Sequence, residues 1–256
     1  MKYDIFLKQA IIAAEKSGGL IVSYFEKIKT IKKKNKNIRD LISEVDILSE
    51  KEIISTLKSK FKKHNFLAEE SGLQNNKSDF TWIIDPLDGT VNYVKGIKLC
   101  AISIALTYKK ETVVGVIYNP FLKELYYSSK KGGAYLNGDP IRVSKNKKLD
   151  SCLLISAFSS KISLKEKNKE YKNFGNLNNK SLGVLRIGSA ALAMAMVAKG
   201  SIDGIWGNDL KIWDIEAGIC LIREAQGQVE AKRNGTNKTI IAGNNYVVNM
   251  LKKNLK

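Results

Sequence analysis

The residues best placed to do chemistry lie in Trp82-Ile83-Ile84-Asp85-Pro86-Leu87-Asp88-Gly89-Thr90-Val91-Asn92-Tyr93. An apolar, strand-like run ends in Asp-Pro-x-Asp-Gly-Thr, which sends two carboxylates and a hydroxyl out of its carboxyl end. Asp85 and Asp88 stand three apart across a proline-stiffened turn, so both can reach one hard cation, with the Leu87 carbonyl between them. Gly89 lets the backbone approach a ligand, and the Gly89 and Thr90 amides would open the next helix as an anion site. The alternative is a polar turn whose aspartates cap that helix; the full string favours the ligand reading over it.

Three other acidic spots fit the same chemistry. Glu69-Glu70 closes the apolar stretch Phe66-Leu67-Ala68, and two adjacent glutamates cannot both face one point on regular structure. Asp46 and Asp214 each stand at the head of a predicted helix, where capping is the competing role. Magnesium prefers oxygen ligands and is commonly shared between carboxylates and a substrate phosphate. Four acids arriving from separate segments suit it better than zinc or iron. The chain has a single histidine, His64, read here as a solvated helix-end residue, so a multi-histidine metal site is excluded. Cys100, Cys152 and Cys220 are widely spaced among apolar neighbours, which predicts small core residues rather than disulfides or a zinc knuckle.

The elements that must position these groups follow from periodicity. Residues 4–30 carry Ile5, Leu7, Ile11, Ile12, Leu20, Ile21, Phe25 and Ile28 at helical spacing, and a second helix is expected from about 45 to 63, with Val45, Leu48, Ile53, Ile54, Leu57 and Phe61 on one side. The lysine run 32–36 reads as a loop or helix exit. Ala101 to Tyr108 and Thr112 to Tyr118 form a hairpin, followed by a strand from Glu124 to Ser128. The second half opens with a strand at Leu153 to Ala157, then a lysine- and asparagine-rich excursion over 159–181. Strands are expected at Leu182 to Ile187, Ile202 to Trp206 and Thr239 to Ala242. A helix capped by Ser189 and stopped by Gly200 carries Met194 and Met196 as core filler. Further helices are expected from about 214 to 225 and at the carboxyl end. The alternation gives a mixed α/β architecture without a Gly-x-Gly-x-x-Gly dinucleotide loop.

These motifs resemble the inositol monophosphatase family of magnesium-dependent, lithium-sensitive sugar-phosphate phosphatases over nearly the whole chain. Asp85 to Tyr93 matches the family's Asp-Pro-[Ile/Leu]-Asp-Gly-Thr-x-Asn-[Phe/Tyr] string. Glu69-Glu70, Trp213 to Gly218 and Gly188-Ser189-Ala190-Ala191 match its other segments. The resemblance implies a five-layer αβαβα sandwich, as in fructose-1,6-bisphosphatase-like phosphatases. It also implies one catalytic domain over 1–256, with halves of about 1–145 and 146–256, and a homodimer. Carried over by position, Glu69, Asp85 and the Leu87 carbonyl would hold one Mg2+, and Asp85, Asp88 and Asp214 a second, with Glu69 helping to hold a third. Thr90 and Asp46, with Glu69 nearby, would orient the attacking water. Gly89 and Thr90 would grip the phosphate, and Gly188, Ser189 and Ala190 would line the pocket for the alcohol.

Three departures stand out. The family's substrate-recognising glutamate, seven residues before Asp214, is Gly207 here, with Asp209 two residues on. Ser43 and Val45 stand where many members carry threonines, and Gln226-Gly227-Gln228 replaces Ala-Gly-Gly. The implied activity is hydrolysis of inositol monophosphate or a similar small polyol phosphate. A bisphosphate nucleotidase, a fructose-1,6-bisphosphatase and a transcription- or ribosomal-RNA-associated binding role are the alternatives.

Lys and Arg number 43 against 25 Asp and Glu, a net charge of +18. That excess has two readings, an AT-rich coding bias and a field that draws anionic substrates or RNA. No apolar run spans a bilayer and no signal-peptide pattern appears, so a cytoplasmic protein without membrane contact is expected.

Overall fold

The computed structural model describes residues 3–27, 31–33, 41–159, 162–234 and 237–255. Residues 34–36 of the lysine run, and Ile28 of the first predicted helix, lie outside them. In chain order the first half contains α1 (Asp4–Tyr24), β1 (Ile31–Lys33), β2 (Leu41–Ser43), α2 (Glu44–Lys58), β3 (Asn65–Ala68), β4 (Gly72–Gln74), β5 (Phe80–Asp88) and α3 (Thr90–Val94). There follow β6 (Ala101–Tyr108), β7 (Glu111–Asn119), β8 (Glu124–Ser129), β9 (Gly133–Leu136) and β10 (Asp139–Pro140). The second half contains β11 (Leu153–Phe158), α4 (Leu164–Asn178), β12 (Gly183–Leu185), α5 (Ala190–Lys199), β13 (Gly204–Lys211), α6 (Ile212–Glu224), β14 (Gln228–Asn234), β15 (Asn237–Gly243) and α7 (Asn245–Asn254).

Strands β3 to β10 form an eight-stranded sheet in the order β10-β9-β8-β7-β6-β5-β3-β4, and β11 to β15 form a five-stranded sheet in the order β12-β11-β13-β15-β14. Helices α1 and α2 cover the outer face of the first sheet, α5 and α6 fill the space between the sheets, and α4 and α7 cover the second. That is the five-layer αβαβα sandwich. Three apolar clusters fill the layers: Trp82, Ile84 and Ile104 beneath α1 and α2, Met194, Ile205 and Leu221 on both sides of the central helices, and Leu154, Trp206 and Leu251 beneath α4 and α7. Helix α5 can sit between two sheets because its sequence is apolar but for Lys199 in its last turn and half alanine, with Met194 wholly buried and Met196 packed against the same core. Ser189 Oγ accepts from the Leu192 amide at its start, and Gly200 ends it.

Several elements differ from expectation. Helix α1 buries Ala10, Ala13, Ala14, Ser17 and Ile21, while Ile5 and Ile12 face solvent. Small residues let it lie close over α2 and the sheet, with Ile21 buried among them and Leu7 and Ile11 packed against the same core. Leu48 of α2 is exposed as well. The 159–181 excursion is largely a helix: Ser163 and Glu166 form a capping box, with Ser163 N and Oγ donating to Glu166 Oε2 at 2.9 and 2.7 Å. His64 is no solvated residue. Its ring stacks between Phe61 and Phe80 with centroids 5.0 and 4.8 Å away, and burial lowers its pKa. The three cysteines are buried free thiols, as expected, and burial pushes each up to about 12.

Candidate active site

Strand β5 carries the central motif to the carboxyl end of the first sheet. Its pairing with β6 runs in register to Asp85 and resumes at Asp88, so the intervening Pro86-Leu87 bulges out of the ladder. The bulge is fixed from behind, where Ser49 Oγ of α2 donates to the Pro86 carbonyl at 2.9 Å. The Leu87 amide donates to Asp85 Oδ1 at 3.0 Å, which holds that buried carboxylate at the strand end. Gly89 then turns the chain with φ +93°; a side chain there would meet the Leu99 carbonyl at 2.9 Å. The short α3 follows at once, and Asn92 Nδ2 ties it to the second half by donating to the Leu99 and Ile187 carbonyls, each at 2.7 Å.

A cavity of about 460 Å3 opens at this point between the two sheets. Glu69, Asp85, Leu87 and Asp88 line it with Gly89 and Thr90, and Gly188, Ser189, Ala190 and Asp214 approach from the second half. Of the residues given a metal, catalytic or substrate-binding role in the sequence analysis, Asp46 alone is not in its wall. Asp46 lies behind Thr90: Thr90 Oγ1 is 3.1 Å from Asp46 Oδ1 and 3.1 Å from the Leu87 carbonyl, and its one proton serves either acceptor. Asp46 Oδ2 accepts from Ser43 N at 2.7 Å and Ser43 Oγ at 2.5 Å. Capping of α2 and contact with Thr90 therefore coexist in one carboxylate. Glu69 lines the cavity and Glu70 does not. A larger groove of about 890 Å3 runs along α1 beside Tyr118 and Tyr127, remote from this chemistry.

The electrostatics of the cavity set it apart. Burial raises Asp85 well above the usual carboxylate range, and the charges of Glu69, Asp88 and Asp214 add to the rise. Burial raises Asp214 likewise, with Asp88 and Glu69 contributing. Asp88 is pushed up to about 6 by burial, against hydrogen bonds that favour its charged form. Those bonds come from Ser189 Oγ at 2.6 Å and the Ala191 amide at 2.7 Å, both onto Asp88 Oδ2 at the start of α5. Asp214 accepts from the Lys211 amide at 3.1 Å as α6 begins. Among the described residues no three acids, thiols or imidazoles are already closed around a point as metal ligands. The mutual repulsion of these carboxylates favours that open arrangement, and an all-oxygen set short of positive charge is the donor chemistry that a hard divalent cation satisfies.

One positioning residue escaped the sequence reading. Glu50 of α2 is 4% exposed, and its two carboxylate oxygens accept from the Glu70 and Ser71 amides at 2.8 and 2.9 Å. It thereby shapes the turn that presents Glu69. Its position, one helical turn after Asp46 and inside an otherwise amphipathic helix, was the only available signal.

A double-sheet sandwich with an acidic cavity where its halves meet defines a class of metal-dependent phosphatase folds. The chain belongs to the inositol monophosphatase family, whose model matches residues 2–255. It is 38% identical to the Nus factor SuhB of Escherichia coli K12 over 98% of this chain and 95% of that one. It is 36% identical to the inositol-1-monophosphatase of Mesorhizobium japonicum over 100% and 98%. The crystal structure of the extragenic suppressor protein suhB from Bartonella henselae superposes with a TM-score of 0.92 at 35% identity, covering 98% of each chain.

Proposed function

We propose that the chain is a magnesium-dependent phosphomonoesterase that hydrolyses inositol monophosphate or a similar small polyol phosphate. The observation that carries this reading is the convergence of Asp85 and Asp88 from the end of β5 and Asp214 from the start of α6 into one cavity, each with a raised pKa. Glu69, Asp85 and the Leu87 carbonyl would hold one Mg2+, and Asp85, Asp88 and Asp214 a second, with Glu69 available to a third. Bound magnesium supplies charge neutralisation on the phosphoryl group and acidifies water. Phosphoryl transfer then needs alignment more than covalent help.

The chain's own groups supply that alignment. When Thr90 Oγ1 donates to Asp46 Oδ1, its lone pair is free to accept a hydrogen bond from the attacking water and so aim the water in line with the scissile bond. Ser43 holds the far side of Asp46, which keeps that carboxylate facing Thr90. Gly89 and Thr90, at the start of α3, grip the phosphate oxygens. Gly188, Ser189 and Ala190 bound the space for the alcohol. No nucleophilic side chain is needed, and water is the direct nucleophile. A cytoplasmic homodimer is the form we expect; no described helix is long and apolar enough to cross a membrane.

Phosphate release from inositol, glycerol, fructose and adenosine phosphates, measured with magnesium and with chelator, tests the reading. Magnesium-dependent release from a monophosphate supports it, and release that persists in chelator refutes it. The relatives named Nus factor SuhB favour a second, compatible reading, a transcription-associated binding role. Salt-sensitive binding to RNA or RNA polymerase that survives Asp88→Asn would support it, and no binding at low salt would remove it.

A further inference from the structure

The alcohol side of the cavity carries an acid that the family motifs do not assign. Strand β13 pairs with β15 from Gly204↔Gly243 to Gly207↔Ile240, then resumes at Leu210↔Lys238. Asn208 and Asp209 therefore oppose the single residue Thr239, a two-against-one bulge of the kind that re-aims side chains beside active sites. Asp209 takes φ +56° there, a left-handed conformation that costs a residue other than glycine energy. The bulge puts Asp209 in the wall of the cavity that holds Asp85, Asp88 and Asp214. Its carboxylate is oriented, not loose: Oδ1 accepts from Asn237 Nδ2 at 2.5 Å, and Asn237 Oδ1 in turn accepts from Lys211 Nζ at 2.8 Å. That leaves Oδ2 for a ligand.

Position 207 does not provide this acid: Gly207 is outside the cavity wall, and a side chain there would meet Leu210 Cδ1 at 2.4 Å and the Ala157 carbonyl at 2.8 Å. The two cations of this side are engaged within the protein. Lys211 is bound to Asn237, while Arg186 lies on the Phe158 ring, 4.1 Å from its centroid, and donates to the Phe158 carbonyl at 3.1 Å. Both keep their charge and further N–H donors, and beside them the wall offers a ligand one anchored anionic acceptor.

We infer that Asp209 is the specificity-determining residue of this cavity: its Oδ2 accepts a hydrogen bond from a hydroxyl of a polyol monophosphate, and its charge disfavours a second phosphate on the substrate. This rests on the phosphatase reading above. The residue reads the alcohol and takes no part in the transfer itself.

The test compares wild type with Asp209→Asn and Asp209→Gly. Asn tolerates the left-handed backbone and keeps an acceptor for Asn237 while turning the free acceptor into a donor; Gly relieves the backbone and serves as a folding control. With magnesium, kcat/KM is measured for inositol 1-phosphate, adenosine 3′,5′-bisphosphate and phenyl phosphate, which has no hydroxyl. Loss of a hydrogen bond to a charged group predicts that selectivity for inositol 1-phosphate over phenyl phosphate falls about 10- to 100-fold, chiefly through KM. Titration calorimetry with free inositol, which involves no turnover, should show weaker binding to both variants. Wild type should handle the bisphosphate poorly, and Asp209→Asn should narrow that gap. A selectivity ratio that does not move, or equal losses on all three substrates, overturns the assignment of Asp209 and leaves the phosphatase reading standing; a wild-type preference for the bisphosphate overturns both that assignment and the polyol-monophosphate reading. A folded wild-type protein that hydrolyses none of them overturns the phosphatase reading, and this inference with it.

Discussion

Replacing Asp88 with Asn should separate what the cavity costs the fold from what it does for catalysis. Without a cation, the Asp88 carboxyl has its pKa raised from 3.8 to about 6. The unfolded chain is therefore charged between about pH 4 and 6 where the folded chain still holds the proton. Stability from this group falls as pH rises through that window and is lowest, and flat, above about pH 7. A shift of about two units corresponds to about 3 kcal/mol. Asp88 is partly exposed at the cavity mouth, so water screening leaves roughly 1–3 kcal/mol. Asn keeps an oxygen for Ser189 Oγ and Ala191 N and turns an amide toward the other acids. In chelator at pH 8, Asp88→Asn should melt roughly 2–6 °C above wild type. The gap should close toward pH 4.5, and magnesium should stabilise wild type more than the variant. Turnover should be lost. Differential scanning calorimetry with parallel phosphate-release assays would read both effects. A variant that melts below wild type at pH 8 in chelator, or that keeps near-normal turnover, refutes the electrostatic reasoning.

Three more expectations follow from other parts of the molecule. Glu50→Ala removes both acceptors from the turn that presents Glu69, and by analogy with other groups that orient metal ligands it should weaken magnesium affinity or activity about 10- to 100-fold, measurable by titration calorimetry. His64 has a lowered pKa, so the unfolded chain takes up its proton first on acidification, and stability is lost as pH falls below about 6.5. His64→Phe should therefore show a shallower fall in melting temperature between pH 7.5 and 5.5, and an identical slope would place the loss elsewhere. Lithium at millimolar concentration should inhibit phosphate release by competing with magnesium, and full activity in lithium would argue for a different metal arrangement.

The parts of this site that could be read from the sequence are those written contiguously. Asp85, Leu87, Asp88, Gly89 and Thr90 share one bulge and one turn, so their spacing alone places two carboxylates and a hydroxyl together. Asp214 was visible as the acid at a helix start, as was Ser189 as a cap, because capping is local chemistry. Glu50 was not legible, since its role exists only through amides twenty residues away in another element. Asp209 was visible as a candidate substitute for the glutamate missing at Gly207, but its placement in the wall was not, because the bulge that turns it depends on the register with β15. The same limit explains the fold errors. Helix α4 was hidden by its lysines and asparagines, although Ser163 and Glu166 announced its start. Strand β14, with its run of polar residues Gln228, Glu230 and Lys232, was missed because β15, not its own composition, makes it a strand. The inner face of α1 holds Ile21 as expected, but close packing puts Ala10, Ala13 and Ala14 there in place of the larger Ile5 and Ile12.

The most direct test of the central claim is phosphate release from inositol 1-phosphate by wild-type protein and by Asp214→Asn, each titrated with magnesium from a chelated start. Activity that rises from nothing with magnesium in wild type, and stays absent in a folded Asp214→Asn, is the predicted result. Equal rates in the two proteins, or release that ignores magnesium, would contradict it.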